Sequence, residues 1–470
     1  YIKFNKDVID DPTQNIVSEY NSYSQSKTQL LSDMAFWNPS ELIGEKPKPL
    51  SFSIFEDILM KQHWNIGLTE VGYTEINKNL IYKIGNKPYI NVEHAINALL
   101  PKLLPINIRK KLQKYYKEKL IKNLSNHDKF EFEIMYTAYL FGSELEELTP
   151  KILNKSEYKI YIELLKKMTT QMIKQYSKRE KRFINDVKKC LKKSKRQNLN
   201  NHISLLNNIF ENIALLKQYA TAQFSAAARM AFISKSILNA LVKEGYIKEN
   251  ELSAFYQSLN TIASQYKSDF AKLNLNSFKR KFGHLRSGTY NLTAPKLEDI
   301  ELKQSFIMDD VKEVFNKKRF LSSLDAAIKY SKISISKDVL YNFLNKSFQL
   351  REYLKFEYTK VISITLDMIN HLAVILEISA YDLEYLTLDI LKSGKNFLTN
   401  NDCRKFYLTY IDKSQKEFNT YEKLVQNQVI RDENDFYVIE HKIAKPNYIT
   451  NKSIEGKILI LDNIKPNISL

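Results

Sequence analysis

Glycine and cysteine are both scarce in this chain of 470 residues. Its 10 Gly make up about 2% of the sequence, against roughly 7% in average proteins. Such a low content argues against folds built on glycine-rich phosphate-binding loops and favours long helices. Two cysteines, Cys190 and Cys403, are too few for a disulfide framework or a cysteine-based zinc site. We therefore expect reduced thiols.

A secretory signal and a long apolar run are also missing. The N-terminal residues, YIKFNKDVIDDPTQ, lack a basic stretch followed by an apolar one. The most apolar window, residues 361–376, contains Asp367 and His371 and is short for a membrane span. The sequence predicts a cytoplasmic location and no membrane partner.

Familiar catalytic motifs are absent as well. The sequence has no G-x-x-x-x-G-K-[ST], G-x-G-x-x-G, H-E-x-x-H or G-x-S-x-G pattern. Its seven histidines are scattered, without the spacing of a metal-binding pair. The sequence thus nominates no catalytic residue and no metal ligand.

Positive charge is in surplus and unevenly spread. The net charge is +18, and residues 151–200 hold 16 Lys and Arg against 4 Asp and Glu. This basic segment is compatible with a nucleic-acid-binding or scaffold surface. The favoured interpretation is the solvated face of a helical hairpin, since Ile184, Val187 and Leu191 mark an apolar side. Few aromatic residues interleave to stack bases, so a nucleic-acid partner is not the primary expectation.

The pattern along the chain predicts a mainly α fold, with one large domain of long helices. We assign residues 1–92 to a lead-in with a proline-rich segment and a β-hairpin near 80–92, turning at Gly85-Asn86. Residues 93–430 form the helical domain. Residues 431–470 are expected to carry short strands, in the runs DFYVIE and KILILD. A chain that begins without Met and stops after a strand has begun is expected to be a piece of a longer protein.

Long helices are expected at 151–178, 204–245 and 337–377, and a further helix at 251–285. Capping signals support this view. At three places a Ser or Asn lies three residues before an acidic residue. The three pairs are Ser125 with Asp128, Asn154 with Glu157, and Ser379 with Asp382.

The segment KRKFGHLRSGTYNLTAPKLED contains two of the rare glycines, five residues apart. His284 and Arg286 lie between them, and an Arg can hold a carboxylate or phosphate through two parallel N–H bonds. These two residues are our first candidates for binding an anionic ligand. The alternative is a helix end at Gly283 followed by a turn.

A second cluster, at a predicted helix start, contains Arg351, Glu352 and Lys355. Arg351 and Lys355 are four residues apart and share a helix face, so both cations are expected to reach one ligand, with Glu352 orienting one of them. An exposed ion-pair face is the alternative.

Arg229 follows the small run Ala226-Ala227-Ala228, which permits a close helix contact beside an interior crevice. A plain packing patch with Arg at its rim is the other interpretation. Lys87, on the hairpin, is a further candidate for ligand binding. Its side chain is expected to point either into a cleft or into water. Met34, Phe36 and Trp37 are expected to be core anchors.

Several of these stretches resemble the phosphoenolpyruvate synthase/pyruvate phosphate dikinase-like family, in its branch near surface-polysaccharide genes. FGHLRSGTYNLTAPKLED is similar to a pattern Y-G-H-L-R-P-G-T-Y-D-I-x-S-P-R-Y-D-E. Further similarities follow in order, in MAFWNPSELIGEKPKPLSFSIFEDIL, IGNKPYINV, AAARMAFISKSIL, REYLKFEYTK and KPNYITNKSIEG. The resemblance covers about residues 31–462. Ser287, Asn291 and Lys296 depart from the family's Pro, Asp and Arg.

The resemblance implies a function for the whole protein. Such enzymes pass a phosphoryl group from ATP, bound with Mg in an ATP-grasp domain, to a histidine on a mobile domain and then to an acceptor. The acceptor is pyruvate in the synthases and an antibiotic in the related rifampicin phosphotransferases. This chain would be the central acceptor-binding region, which binds a small anionic acceptor and no ATP. It would have the ATP-grasp and phosphohistidine domains as partners and would be inactive alone.

Overall fold

The computed structural model describes residues 12–23, 29–141, 152–196, 200–272, 274–302 and 314–439. Within them the fold is mainly α, as predicted, with one small antiparallel sheet. The predicted strand in KILILD and most of the assigned C-terminal region lie outside the described residues.

Six helices belong to the N-terminal part of the chain: α1 (Pro12–Tyr23), α2 (Pro39–Ile43), α3 (Pro49–Phe55), α4 (His63–Glu70), α5 (Val92–Ala98) and α6 (Ile106–Lys122). A π-helical turn, Glu56–Met60, links α3 to α4. A 3-10 turn, Leu124–Lys129, and a π-helical turn, Phe130–Ile134, follow α6. These irregular turns take the place of the capping box predicted at Ser125.

The sheet contains β1 (Leu31–Ser32), β2 (Ile81–Ile84), β3 (Lys87–Asn91) and β4 (Val429–Ile430), in the order β2-β3-β1-β4. The predicted hairpin is confirmed by the β2–β3 pair. Its turn needs a left-handed residue, which Gly85 supplies at φ 57°. The sheet therefore fastens the proline-rich segment to residues far along the chain.

Four helices make up the middle of the chain: α7 (Lys155–Lys174), α8 (Tyr176–Lys193), α9 (His202–Leu216) and α10 (Ala222–Lys243). A π-helical turn at Lys217–Thr221 joins α9 to α10, which confirms the long helical stretch expected at 204–245. The helix expected at 151–178 stops earlier, at Lys174. Its start is confirmed by a complete capping box between Asn154 and Glu157.

Eight helices follow: α11 (Glu249–Gln257), α12 (Ile262–Lys272), α13 (Leu275–Phe282), α14 (Lys317–Ser331), α15 (Lys337–Ile375), α16 (Ala380–Leu383), α17 (Leu388–Ser393) and α18 (Asn400–Glu422). The single helix expected at 251–285 is wrong, because capping residues restart the helix. Asn274 accepts a hydrogen bond from the Ser277 backbone N–H at 2.8 Å, for example.

The longest helix, α15, has 39 residues and begins at the N-cap Ser336. At 1.5 Å per residue it is about 58 Å long. It packs against α8, α9, α10 and α14, so it forms the central axis of the helical core.

Helix α10 also packs closely on α4. A Cβ atom added to Gly67 of α4 would lie 2.2 Å from the Ala222 carbonyl oxygen. The close helix contact predicted for the small residues of α10 is confirmed, and it places Arg229 in the interior at 2% exposure.

The strand predicted in DFYVIE is wrong. Residues Glu433–Phe436 form a 3-10 turn. Asp432 accepts a hydrogen bond from the Asn434 N–H at 2.9 Å, and Asp435 pairs with Arg431 at 2.6 Å. Such local bonds from Asp compete with strand pairing.

Candidate functional site

A cavity lies between α10 and α15, and residues within 36–42 and 128–132 contribute to its wall, with Leu59, Leu68, Thr289 and Tyr290. The cavity has 160 Å³ of room for the centres of water-sized molecules. One water needs about 10–15 Å³ on this measure, so the space suits a small organic ligand.

Three of the predicted cationic residues meet in this cavity. Arg229 comes from α10, while Arg351 and Lys355 come from α15. The shared helix face predicted for Arg351 and Lys355 is confirmed by their common position on the cavity wall. They lie within α15, so the helix start expected at Arg351 is wrong.

The Arg229 guanidinium is paired through its Nη atoms, while its Nε atom is buried without a partner among the described residues. It donates a hydrogen bond to the buried carboxylate of Glu131, and its Nη2 atom lies 3.3 Å from the Thr137 hydroxyl. Burial raises the pKa of Glu131, while the charge of Arg229 opposes that rise. Both residues belong to the cavity wall, and their opposite charges largely neutralise each other.

Arg351 and Lys355 have no such partner. Within the described residues, neither side chain donates a hydrogen bond or lies within 4.0 Å of a carboxylate, and the Arg351 Nε atom is buried without a partner. Burial lowers the pKa of both groups, and the Arg351 charge lowers the pKa of Lys355 further. Two like charges held together in this way favour an incoming anion.

Aromatic rings make up much of the remaining wall. Phe224 stacks on Tyr358 with ring centroids 5.6 Å apart, and Trp37 lies 5.9 Å from Phe224. The Arg351 guanidinium lies over the Phe232 ring at 5.1 Å. These apolar surfaces partly shield Arg351 from water, which strengthens its interaction with a bound anion, whereas Lys355 is exposed.

One wall segment is conformationally strained. Phe36, Trp37 and Asn38 have φ values of 55°, 42° and 35°, so three consecutive non-glycine residues are left-handed. Such conformations cost roughly 1–3 kcal/mol each and occur preferentially at functional sites. Phe36 is buried at 5% exposure, as a core anchor should be, yet it also lines the cavity.

His284 and Arg286 lie outside the cavity wall. Arg286 donates to the Asp367 carboxylate at 2.6 Å, the Ala294 carbonyl at 2.7 Å and the Ser363 hydroxyl at 3.3 Å. Its side chain is only 4% exposed. The guanidinium is therefore occupied with fastening its own loop to α15.

The imidazole of His284 packs edge-on against Phe356, with its Nε2 atom 3.4 Å from the Thr359 hydroxyl. Burial lowers its pKa to about 4, so the ring is neutral at pH 7. Thr359 lines the cavity, so His284 lies one residue behind the wall. The helix end considered at Gly283 is confirmed, since α13 stops at Phe282.

The loop after α13 reaches the cavity through other residues. Thr289 and Tyr290 line it, and the Tyr290 hydroxyl lies 3.1 Å from that of Tyr358. Asn291 accepts a hydrogen bond from the Thr293 N–H at 2.9 Å, and Lys296 pairs with Asp367 at 3.4 Å. These two departures from the family pattern therefore act within the loop and outside the cavity wall.

Glu352 and Lys87 also lie away from the cavity wall. Glu352 accepts a hydrogen bond from the Ala263 N–H at 2.9 Å, so it binds the start of α12 and orients neither cation by direct contact. The Lys87 ammonium is 1% exposed and pairs with Asp33 at 2.9 Å and Glu45 at 3.1 Å. It faces neither the cavity nor open water.

Three acidic residues of the wall are not among the candidates predicted from the sequence: Glu41 of α2, Asp128 and Glu131. Asp128 belongs to the 3-10 turn and Glu131 to the π-helical turn after α6. No binding or catalytic motif marks these residues. Asp128 has a sequence signal only as the partner of Ser125 in the predicted capping box, which the irregular turns replace.

The basic segment spans α7 and α8. The lysines of α8 are exposed, while Phe183, Val187 and Cys190 of the same helix are buried. This arrangement agrees with the solvated-face interpretation, and a nucleic-acid role stays a prediction.

Among the described residues, no group of three His, Cys, Asp or Glu side chains is placed to hold a metal ion. In the same part of the chain, no helix combines the length and apolarity needed to cross a membrane. No protein-family model matches the chain, and a search of curated proteins finds no match.

Proposed function

We propose that this cavity binds a small anionic acceptor, and that the chain is the acceptor-binding region of a phosphoenolpyruvate synthase-like phosphotransferase. In that activity a phosphoryl group passes from ATP to a phosphohistidine and then to an acceptor such as pyruvate. The motif resemblance supports the family. The observation that carries the binding proposal is the pair Arg351 and Lys355, which share one wall and lack carboxylate partners within the described residues.

The two cations have distinct tasks in this proposal. The Arg351 guanidinium offers a planar set of N–H donors, which suits a carboxylate or phosphate. Lys355 adds a mobile point charge at the exposed rim of the cavity. In a phosphoryl transfer, such fixed cations would stabilise negative charge on the acceptor and on the transferring group. ATP and Mg would bind in the ATP-grasp partner.

Isothermal titration calorimetry with pyruvate, phosphoenolpyruvate and inorganic phosphate tests this proposal. We expect at least one of these anions to bind, and Arg351→Met and Lys355→Met each to weaken it about tenfold or more. Lys346→Met is the matched control, because Lys346 also lies on α15, is exposed and pairs with Glu180 at 3.7 Å. If Lys346→Met weakens binding as much as Arg351→Met does, the cavity is not the anion site. If none of these three anions binds, pyruvate and phosphoenolpyruvate are not its ligands.

A further inference from the structure

The cavity wall also presents a carboxylate that has no partner. Asp128 lines the cavity, and its Oδ1 atom is buried without a hydrogen bond. None of the described residues donates a hydrogen bond to either of its carboxylate oxygens. A half-buried carboxylate is costly without a donor, so this group calls for an N–H or O–H from a ligand.

The formal charges of the described side chains that line the cavity sum to zero. Arg229 and Glu131 neutralise each other by direct contact. This leaves Arg351 and Lys355 on the positive side, and Asp128 and the exposed Glu41 on the negative side. A simple anion would satisfy only the cations, whereas a ligand that also carries a donor would satisfy both sets.

The walls add a third requirement. Trp37, Phe224 and Tyr358 provide consecutive ring contacts, and the room of 160 Å³ corresponds to on the order of ten waters. Flat apolar groups pack well against such rings. The space and the chemistry of the walls therefore suit an acid with a planar apolar body.

We propose that the ligand of this cavity is an aromatic acid that also bears a hydroxyl or ammonium donor. Its anionic group binds Arg351 and Lys355, and its donor binds Asp128. This inference rests on the proposed anion site and narrows its ligand class.

Calorimetry with four acids separates the requirements: L-3-phenyllactate with a hydroxyl, L-phenylalanine with an ammonium, 3-phenylpropionate with no donor, and lactate with no ring. We expect phenyllactate or phenylalanine to bind about tenfold more tightly than phenylpropionate, and lactate to bind most weakly. Asp128→Leu should remove the advantage of the donor and leave phenylpropionate affinity unchanged. Asp128→Asn keeps the side-chain shape but removes the negative charge. It should abolish any preference for phenylalanine, whose donor is an ammonium group.

The outcomes distinguish the two proposals. If phenylpropionate binds as tightly as both donor-bearing acids, and Arg351→Met weakens it, the anion site stands and the donor requirement is wrong. The donor requirement is equally wrong if the advantage survives in both Asp128 variants. If no acid shows a dependence on Arg351, the proposed function itself fails.

Discussion

Arg351 belongs to α15, and Arg286 contacts the same helix from the loop after α13, yet the surroundings of the two side chains differ. Arg286 has a carboxylate, a carbonyl and a hydroxyl as acceptors and is 4% exposed on its side chain. Arg351 faces the cavity, has a buried Nε without an acceptor, and has no carboxylate within 4.0 Å among the described residues. A guanidinium with all its acceptors in place stabilises the fold, whereas one without them is available to a ligand.

Arg229 tests this comparison most severely, since it lines the cavity but is paired. Arg229→Met leaves Glu131 buried without its partner, so we expect the free energy of unfolding to fall by about 3–5 kcal/mol. Urea denaturation followed by circular dichroism measures this. The double variant Arg229→Met, Glu131→Met should regain most of the loss. A single variant as stable as the double would show that the pair is not a structural ion pair.

Arg286→Ala should cost less, about 1.5–3 kcal/mol of unfolding free energy, since it removes hydrogen bonds to a charged group. Asp367 is 42% exposed and can be rehydrated, which limits the loss. Anion binding should persist in the folded variant. A stable Arg286→Ala protein that no longer binds the anion would reverse the comparison and restore Arg286 as a ligand contact.

Arg351→Met is expected to change the free energy of unfolding by less than about 0.5 kcal/mol, or to raise it, because no hydrogen bond to protein is lost. The same urea experiment measures it, with Arg286→Ala as the comparison. A loss as large as that of Arg286→Ala would mean that Arg351 has a structural partner after all.

His284 gives an effect that is visible as a pH dependence of the free energy of unfolding. Its pKa is about 4 in the folded protein, below the ordinary 6.5, so the unfolded chain binds the proton more strongly between these values. The stability contributed by the neutral ring is therefore present above about pH 6.5 and is lost as the pH falls towards 4. His284→Gln should flatten this part of the stability profile. If the pH dependence of stability is the same in His284→Gln, a group other than His284 is responsible for it.

Much of the fold followed from sequence patterns. The capping box at Asn154, the hairpin turn at Gly85 and the 39 residues of α15 have strong local signals, and each was confirmed. The three short helices between 249 and 282 were missed, because Asn274 acts as a cap within a continuous apolar pattern.

The candidate site was only partly predictable. The spacing of Arg351 and Lys355 fixed their common face, and the small residues before Arg229 indicated its burial. Whether an arginine meets an acceptor depends on residues distant in sequence, such as Asp367 for Arg286. Asp128 and Trp37 reach the cavity from irregular segments, which have no periodicity to read.

The buried carboxylate of Asp33 has a consequence for how the ligand range of this protein can be changed. It pairs with Lys87 of β3 at 2.9 Å, and its Oδ1 atom lies 3.4 Å from the His127 Nε2 atom without a hydrogen bond, so the segment before Phe36 lies beside the segment before Asp128. The separation of these two stretches is thus set by a residue that never reaches the ligand. A mutant library screened for altered selectivity is expected to yield substitutions at Asp33, where remodelling is indirect, as well as at the wall itself.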